Sequence, residues 1–183
     1  MDRSKEIYQR FLDGDEDALC ELLDEYKDGL TFYINSIVGN LTVAEEVMLD
    51  TFTKLTVKQP RFNGDSEFKT WLYAIGRNLA IDTVKKSRKD VPLDDIIGMI
   101  DEAEALEDFY LRDEKKSELR RAVSRLKSEH SQALRLVYFD GFTNTEAARI
   151  MKKTRHQFDS LIYRAKNALK NELERMGIRY DEF

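Results

Sequence analysis

Residues 143–169 read TNTEAARIMKKTRHQFDSLIYRAKNAL, and two pairs in that run set its structure. Thr143 with Glu146, and Thr154 with Gln157, are capping boxes, in which a hydroxyl and a carboxyl or amide three residues apart satisfy each other's backbone N–H groups at a helix start. The first box opens a short helix holding Ala147, Ala148, Ile150 and Met151. The second opens a longer one, with Phe158, Leu161, Ile162, Ala165 and Leu169 at helical spacing. A short helix, a turn of about three residues and a longer helix is the helix-turn-helix arrangement. Its second helix turns Arg155, His156, Gln157, Asp159, Ser160, Tyr163 and Arg164 outward, with Lys166 further along. Such side chains suit base edges and phosphates. An ordinary helical hairpin with a polar face would share the pattern.

Upstream, Ser128 is a candidate cap for a helix carrying Ala133, Leu134, Val137 and Tyr138 and stopping at Gly141. Leu119, Ala122, Val123 and Leu126 mark one more helix before it. Pro92 disfavours helix at Val91, so the preceding helix should end near Lys89. The charge changes at the same place. Residues 1–89 carry a net charge of −3, residues 90–116 carry −7, and residues 117–183 carry +5. We therefore divide the chain into an N-terminal domain (1–89), an acidic linker (90–116) and a basic C-terminal domain (117–183).

In the N-terminal domain, Asp15, Glu16 and Asp17 favour a helix start through the dipole. Leu19, Leu22, Leu23, Tyr26, Leu30, Tyr33, Ile34 and Ile37 then recur at spacings of three and four, and Gly39-Asn40 ends the helix. Thr42 with Glu45 forms a capping box for the next helix, which turns Ala44, Val47, Met48, Thr51 and Leu55 inward and shows Glu45, Glu46, Asp50 and Lys54 elsewhere. Pro60 terminates it. The turn Phe62-Asn63-Gly64-Asp65-Ser66 follows, with Asp65 or Ser66 as cap for a helix bearing Phe68, Trp71, Leu72, Ile75 and Leu79. That helix ends in Arg77, Lys85, Lys86, Arg88 and Lys89, more basic groups than the dipole alone requires, which points to a phosphate-contacting patch.

Composition bounds the rest. Of 183 residues, 42% are hydrophobic and 36% charged, too apolar for a disordered chain. Only 8 Gly and 2 Pro are present, so an all-α fold is expected. No apolar run approaches the ~20 residues of a membrane helix, and the opening residues lack the apolar core of a signal peptide. Cys20 is the single cysteine and cannot pair within the chain; His130 and His156 form no zinc-ligand pattern. The expectation is a cytoplasmic protein with no metal, no cofactor and no catalytic constellation.

The residues resemble the extracytoplasmic-function (ECF) group of bacterial RNA polymerase sigma factors. FNGDSEFKTWLYAIGRNLAID (62–82) resembles the family's promoter −10 reading element. AEEVMLDTFTKL (44–55) resembles its core-polymerase-binding helix. Residues 11–26 resemble its N-terminal opening, and residues 126–169 its −35-reading helix-turn-helix domain. The resemblance implies two small helical domains joined by a flexible linker, with core RNA polymerase, promoter DNA and an anti-sigma factor as partners. Carried over residue by residue, it implies polymerase binding by Glu45, Glu46, Asp50 and Phe52. It implies −10 contacts from Phe62, Asn63, Gly64, Asp65, Ser66, Arg77, Asn78, Lys85, Lys86 and Arg88, and −35 contacts from Arg155, His156, Gln157, Ser160, Arg164 and Lys166. A helical adaptor using its helix-turn-helix for protein contacts is the rival, but it has no need of the basic 62–89 element beside a separate acidic helix.

Four positions depart from the family pattern. Met48 stands where Gln is usual. Lys152-Lys153 occupy a turn where Gly and an apolar residue are usual, and a left-handed Lys costs roughly 1 kcal/mol, which predicts a turn of different shape. Asp159 stands where Lys is common. It could accept from a cytosine amino group, but we expect it to be an electrostatic liability beside phosphate.

Overall fold

The computed structural model describes residues 2–90 and 114–178. The acidic linker lies almost wholly outside the described residues, and so does the side chain of Arg88. All regular structure among the described residues is helical.

Helix α1 (Arg3–Leu12) starts from Asp2, and α2 (Glu16–Val38) ends at Gly39, whose φ of 73° turns the chain left-handed. Helix α3 (Leu41–Lys58) is not capped by Thr42. Asn40 is extended, at φ −145°, and its Oδ1 accepts from the Val43 N–H at 2.9 Å, so the helix starts earlier. Helix α4 (Phe68–Asp90) is also capped otherwise than expected. The Phe68 N–H donates to Asp2 Oδ2 at 2.6 Å, while Asp2 Oδ1 accepts from Lys5 N at 3.3 Å. One carboxylate therefore caps two helices, and Asp65 and Ser66 are left to shape the turn before α4.

Helix α2 packs against α1, α3 and α4. Its Leu22, Leu30, Tyr33 and Ile34 are buried with Val47, Phe52 and Leu55 of α3 and Phe68, Leu72 and Tyr73 of α4. The α2–α4 approach is close. A Cβ at Gly76 would sit 2.9 Å from Leu30 Cδ1, and one at Gly29 would sit 2.6 Å from Tyr73 Oη.

The C-terminal unit comprises α5 (Glu114–Ser124), α6 (Ser128–Leu134), a π-helical turn (Arg135–Phe139), α7 (Asn144–Ile150) and α8 (Arg155–Arg175). Both expected capping boxes, Thr143 with Glu146 and Thr154 with Gln157, are formed. Ser128 is not the cap of α6. It is the helix's first residue, and its Oγ donates to the Ser36 carbonyl of α2 at 2.7 Å. The helix expected to run on to Gly141 instead widens to i→i+5 bonding, with Asp140 N donating to Arg135 O at 3.0 Å.

The two units pack on each other through α2, α4, α6 and α7. Tyr73 Oη donates to Asp140 Oδ1 at 3.2 Å, and Lys69 Nζ donates to the Asp140 carbonyl. Phe142 meets Tyr73 edge-on at 4.8 Å, under Lys69. Asp140 Oδ2 is buried without a hydrogen bond. Burial is the main cause that pushes the Asp140 carboxyl up to about 6, against the opposing pull of Arg135 and Lys69.

A raised carboxyl favours the packed state while it is protonated, and loses that advantage as pH rises through about 6. Asp140→Asn keeps an acceptor for Tyr73 without the buried charge. We expect it to raise stability by on the order of 2 kcal/mol at pH 7.5, with the gain shrinking toward zero near pH 4. Denaturant melts of both proteins across that range check this; an equal effect at both ends contradicts it.

Candidate nucleic-acid interface

The helix-turn-helix is formed by α7 and α8. Ala147, Ala148, Ile150 and Met151 pack against Phe158, Leu161, Ile162 and Ala165, all buried. The turn keeps the left-handed shape despite its lysines. Lys152 takes φ 53°, its N–H donates to Arg149 O, and Lys153 N–H donates to Ala148 O at 2.9 Å. The expected change of shape does not occur, because these two bonds satisfy carbonyls at the end of α7. Lys153 then reaches Glu129 of α6 at 3.1 Å.

The exposed side of α8 holds most of the candidates, with different freedoms. His156 and Ser160 lie opposite the buried stripe, with Arg164 to one side. Gln157 is committed: its Oε1 accepts from Thr154 N at 2.9 Å in the capping box. Lys166 Nζ lies 5.3 Å from the centre of the Tyr138 ring. Arg155 is bound to Asp159, the Nε–carboxylate distance being 2.9 Å. Tyr163, 68% exposed in the middle of this face, was outside the candidate set although its outward register was legible.

In the N-terminal unit, the turn 62–66 is folded on itself. Asn63 Nδ2 donates to Asp65 Oδ2 at 2.5 Å, and Asn63, Gly64 and Asp65 are exposed. Phe62 belongs partly to the core, its ring 5.3 Å from Trp71 and 5.8 Å from Phe68, so it anchors the turn. Along α4 the helical period puts Asn78 and Lys85 on the side away from the buried stripe, with Asp82 beside them, while Lys86, also exposed, lies five turns on from Phe68 at the edge of that stripe. Arg77 does not join them; its Nε is buried without a partner, near Tyr33. The turn 62–66 and the helix-turn-helix also touch each other, through Arg149 Nη1 donating to the Asp65 carbonyl at 2.5 Å.

On α3, Glu45, Glu46 and Asp50 are exposed. Phe52 is buried at 5% and packs in the core, so as a surface contact it is ruled out; its spacing from Met48 and Leu55 is that of the buried stripe. Leu49, 53% exposed, and Val57, 75% exposed, are apolar groups on the open side of α3 that the sequence reading passed over.

Two helical units, one with a helix-turn-helix and the other with an acidic ridge and a turn followed by a helix that ends in basic residues, have the make-up of a DNA-binding transcription protein. The comparisons make this specific. The sigma-70 region 2 model matches residues 22–90, and the sigma-70 region 4 model matches residues 116–169. The chain is 26% identical over 170 residues to the ECF RNA polymerase sigma factor SigW of Bacillus subtilis, covering 87% of this chain and 91% of that one. It is 30% identical to the ECF sigma factor BldN of Streptomyces coelicolor, covering 91% of this chain and 64% of that one. Its fold is similar to that of CnrH in complex with the cytosolic domain of CnrY, with a TM-score of 0.66, 20% identity and coverage of 92% and 95%. The chain belongs to the ECF sigma factors of the sigma-70 family. Its function is that of a sigma factor, directing RNA polymerase to promoters. No helix among the described residues is long and apolar enough to cross a membrane.

The double cap at Asp2 fixes where α4 begins and hence how the turn 62–66 is presented. Asp2→Ala should cost about 1–3 kcal/mol, for two caps at once. Asp2→Asn, with one acceptor oxygen, should cost about half of that. Thermal unfolding of both variants checks the order, and equal losses contradict the shared-carboxylate account.

Proposed function

We propose the following division of labour within the sigma factor. The exposed acids Glu45, Glu46 and Asp50, with Leu49 and Val57 beside them, form the surface that docks on core RNA polymerase. Glu46 and Asp50 stand one helical turn apart, a like-charge spacing that costs the free helix a few tenths of a kcal/mol. A basic partner surface turns that cost into attraction. The turn 63–66 reads −10 bases, while Asn78, Lys85 and Lys86 hold the adjacent backbone. The exposed side of α8 reads the −35 element. The chain is a cytoplasmic, non-catalytic subunit, and the polymerase supplies the chemistry. The solved relative CnrH is bound by the cytosolic domain of CnrY, and the relative RpoE of Bartonella quintana by an anti-sigma factor; we propose an anti-sigma partner here too.

The observation that carries this reading is the contact between the two reading elements. Elements centred near −10 and −35 lie some 25 base pairs apart, roughly 85 Å at ~3.4 Å per pair. Here one hydrogen bond joins Arg149 to Asp65. The arrangement described is thus a form of the free protein, and promoter binding requires the units to separate. Polymerase docking on α3 supplies a site from which they can do so.

Run-off transcription with core polymerase on genomic fragments tests the reading as a whole. Glu46→Lys with Asp50→Lys should abolish co-purification with core polymerase, with melting temperature nearly unchanged because both groups are exposed. Within the holoenzyme, Asn63→Ala should alter the preferred −10 bases. Lys85→Ala or Lys86→Ala should instead weaken all promoters alike and lower the salt dependence. Unchanged base preference in the Asn63 variant, by a randomised-promoter screen, contradicts the assignment of the turn.

A further inference from the structure

Arg155 is the first residue of α8, and 54% of its side chain is exposed. It is nevertheless held from two helices. Nε donates to both carboxylate oxygens of Asp159, at 2.9 Å each, and Nη1 donates to Thr145 Oγ1 of α7 at 2.7 Å. Asp159 is itself held by Asn144 Nδ2 of α7 at 2.9 Å. The terminal donors of the guanidinium, on Nη2 and the second proton of Nη1, take no partner among the described residues.

Two features direct this tip to a base rather than a phosphate. The first is charge. Arg155 and Asp159 together carry none, so the pair has little long-range pull on the DNA backbone, and what remains is a fixed pair of donors. The second is position, since the N-terminal residues of a recognition helix are those that meet base edges in the major groove. Parallel N–H donors match O6 and N7 of guanine, the pairing by which Arg most often specifies a base.

We propose that Arg155 reads a guanine of the −35 element through its terminal nitrogens, with Asp159, Asn144 and Thr145 as the positioning residues that aim it. The proposal rests on the promoter-reading role of α8. It also replaces both earlier readings of Asp159. A carboxylate that already accepts from Arg155 and Asn144 is engaged in aiming the guanidinium rather than set aside for cytosine, and with that cation beside it, it is not a bare charge against phosphate. Its carboxyl lies below the ordinary range, chiefly through the hydrogen bond from Arg155, so it stays ionised and keeps the clamp.

The test uses the full-length chain in holoenzyme with core polymerase and a library randomised in the −35 element. Wild type should select a guanine at one position. Replacing that base with 7-deazaguanine, which lacks the N7 acceptor, should weaken binding roughly 5- to 150-fold. Arg155→Ala should lose this preference and become insensitive to 7-deazaguanine, with selection at other positions intact. Asp159→Ala and Thr145→Val should fold normally and shrink the guanine preference several-fold. Asp159→Ala should also steepen the salt dependence by up to about one unit, because the unmasked arginine is drawn to phosphate. Asp159→Glu should restore the preference in part. Equal weakening of every sequence by Arg155→Ala would make it a phosphate contact and overturn the proposal. An unchanged guanine preference in Asp159→Ala would overturn the positioning role. A wild-type holoenzyme that selects no promoter at all would refute the underlying promoter reading, and that result is distinguishable from the other two.

Discussion

Helix α4 lies so close to α2 that at Gly29 and Gly76 no larger residue fits without displacing Tyr73 or Leu30. Most of the molecule is arranged around this approach. It buries Phe68, Leu72 and Tyr73 of α4 beneath α2, which leaves the opposite side of α4 for Asn78 and Lys85. It also brings the Tyr73 hydroxyl to where Asp140 and Phe142 of the C-terminal unit can meet it. The contact that packs the N-terminal core therefore also presents the surface on which the second unit rests.

The interface between the units is chemically mixed. Phe142 and Tyr73 contribute apolar area, and Arg135 lies 4.9 Å from the Phe32 ring. A carboxylate with one unpartnered oxygen sits among them. Burying such a group opposes the association that the aromatic contacts favour. On the proposed division of promoter reading between the units, that balance suits a pair that separates on DNA and packs when free.

The helices, their order and the two capping boxes of the helix-turn-helix were legible in the sequence because each depends on residues within four positions of one another. The errors fall where a nearer or a distant group prevailed. Asn40 displaced Thr42 because an extended residue just ahead can cap first. No local pattern could show that Asp2 caps α4, or that Ser128 bonds to Ser36 instead of its own helix. Phe52 was assigned to the surface by family likeness, although its register placed it with the buried stripe of α3. In the site, the outward face of α8 was readable from periodicity. The state of each side chain on it was not, because Gln157, Lys166 and Arg155 are each engaged by neighbours whose placement depends on the turn.

The shared cap at Asp2 has a consequence for the order of folding. Its two recipients, Lys5 and Phe68, lie 3 and 66 positions away along the chain. During synthesis α1 can be capped as soon as it leaves the ribosome. The first turn of α4 gains its partner only after α2 and α3 have brought the chain back. Closing so long a loop is slow relative to forming a helix. The start of α4, and the turn 62–66 hung from it, should therefore be among the last parts of this unit to become ordered, and the most sensitive to anything joined ahead of Asp2.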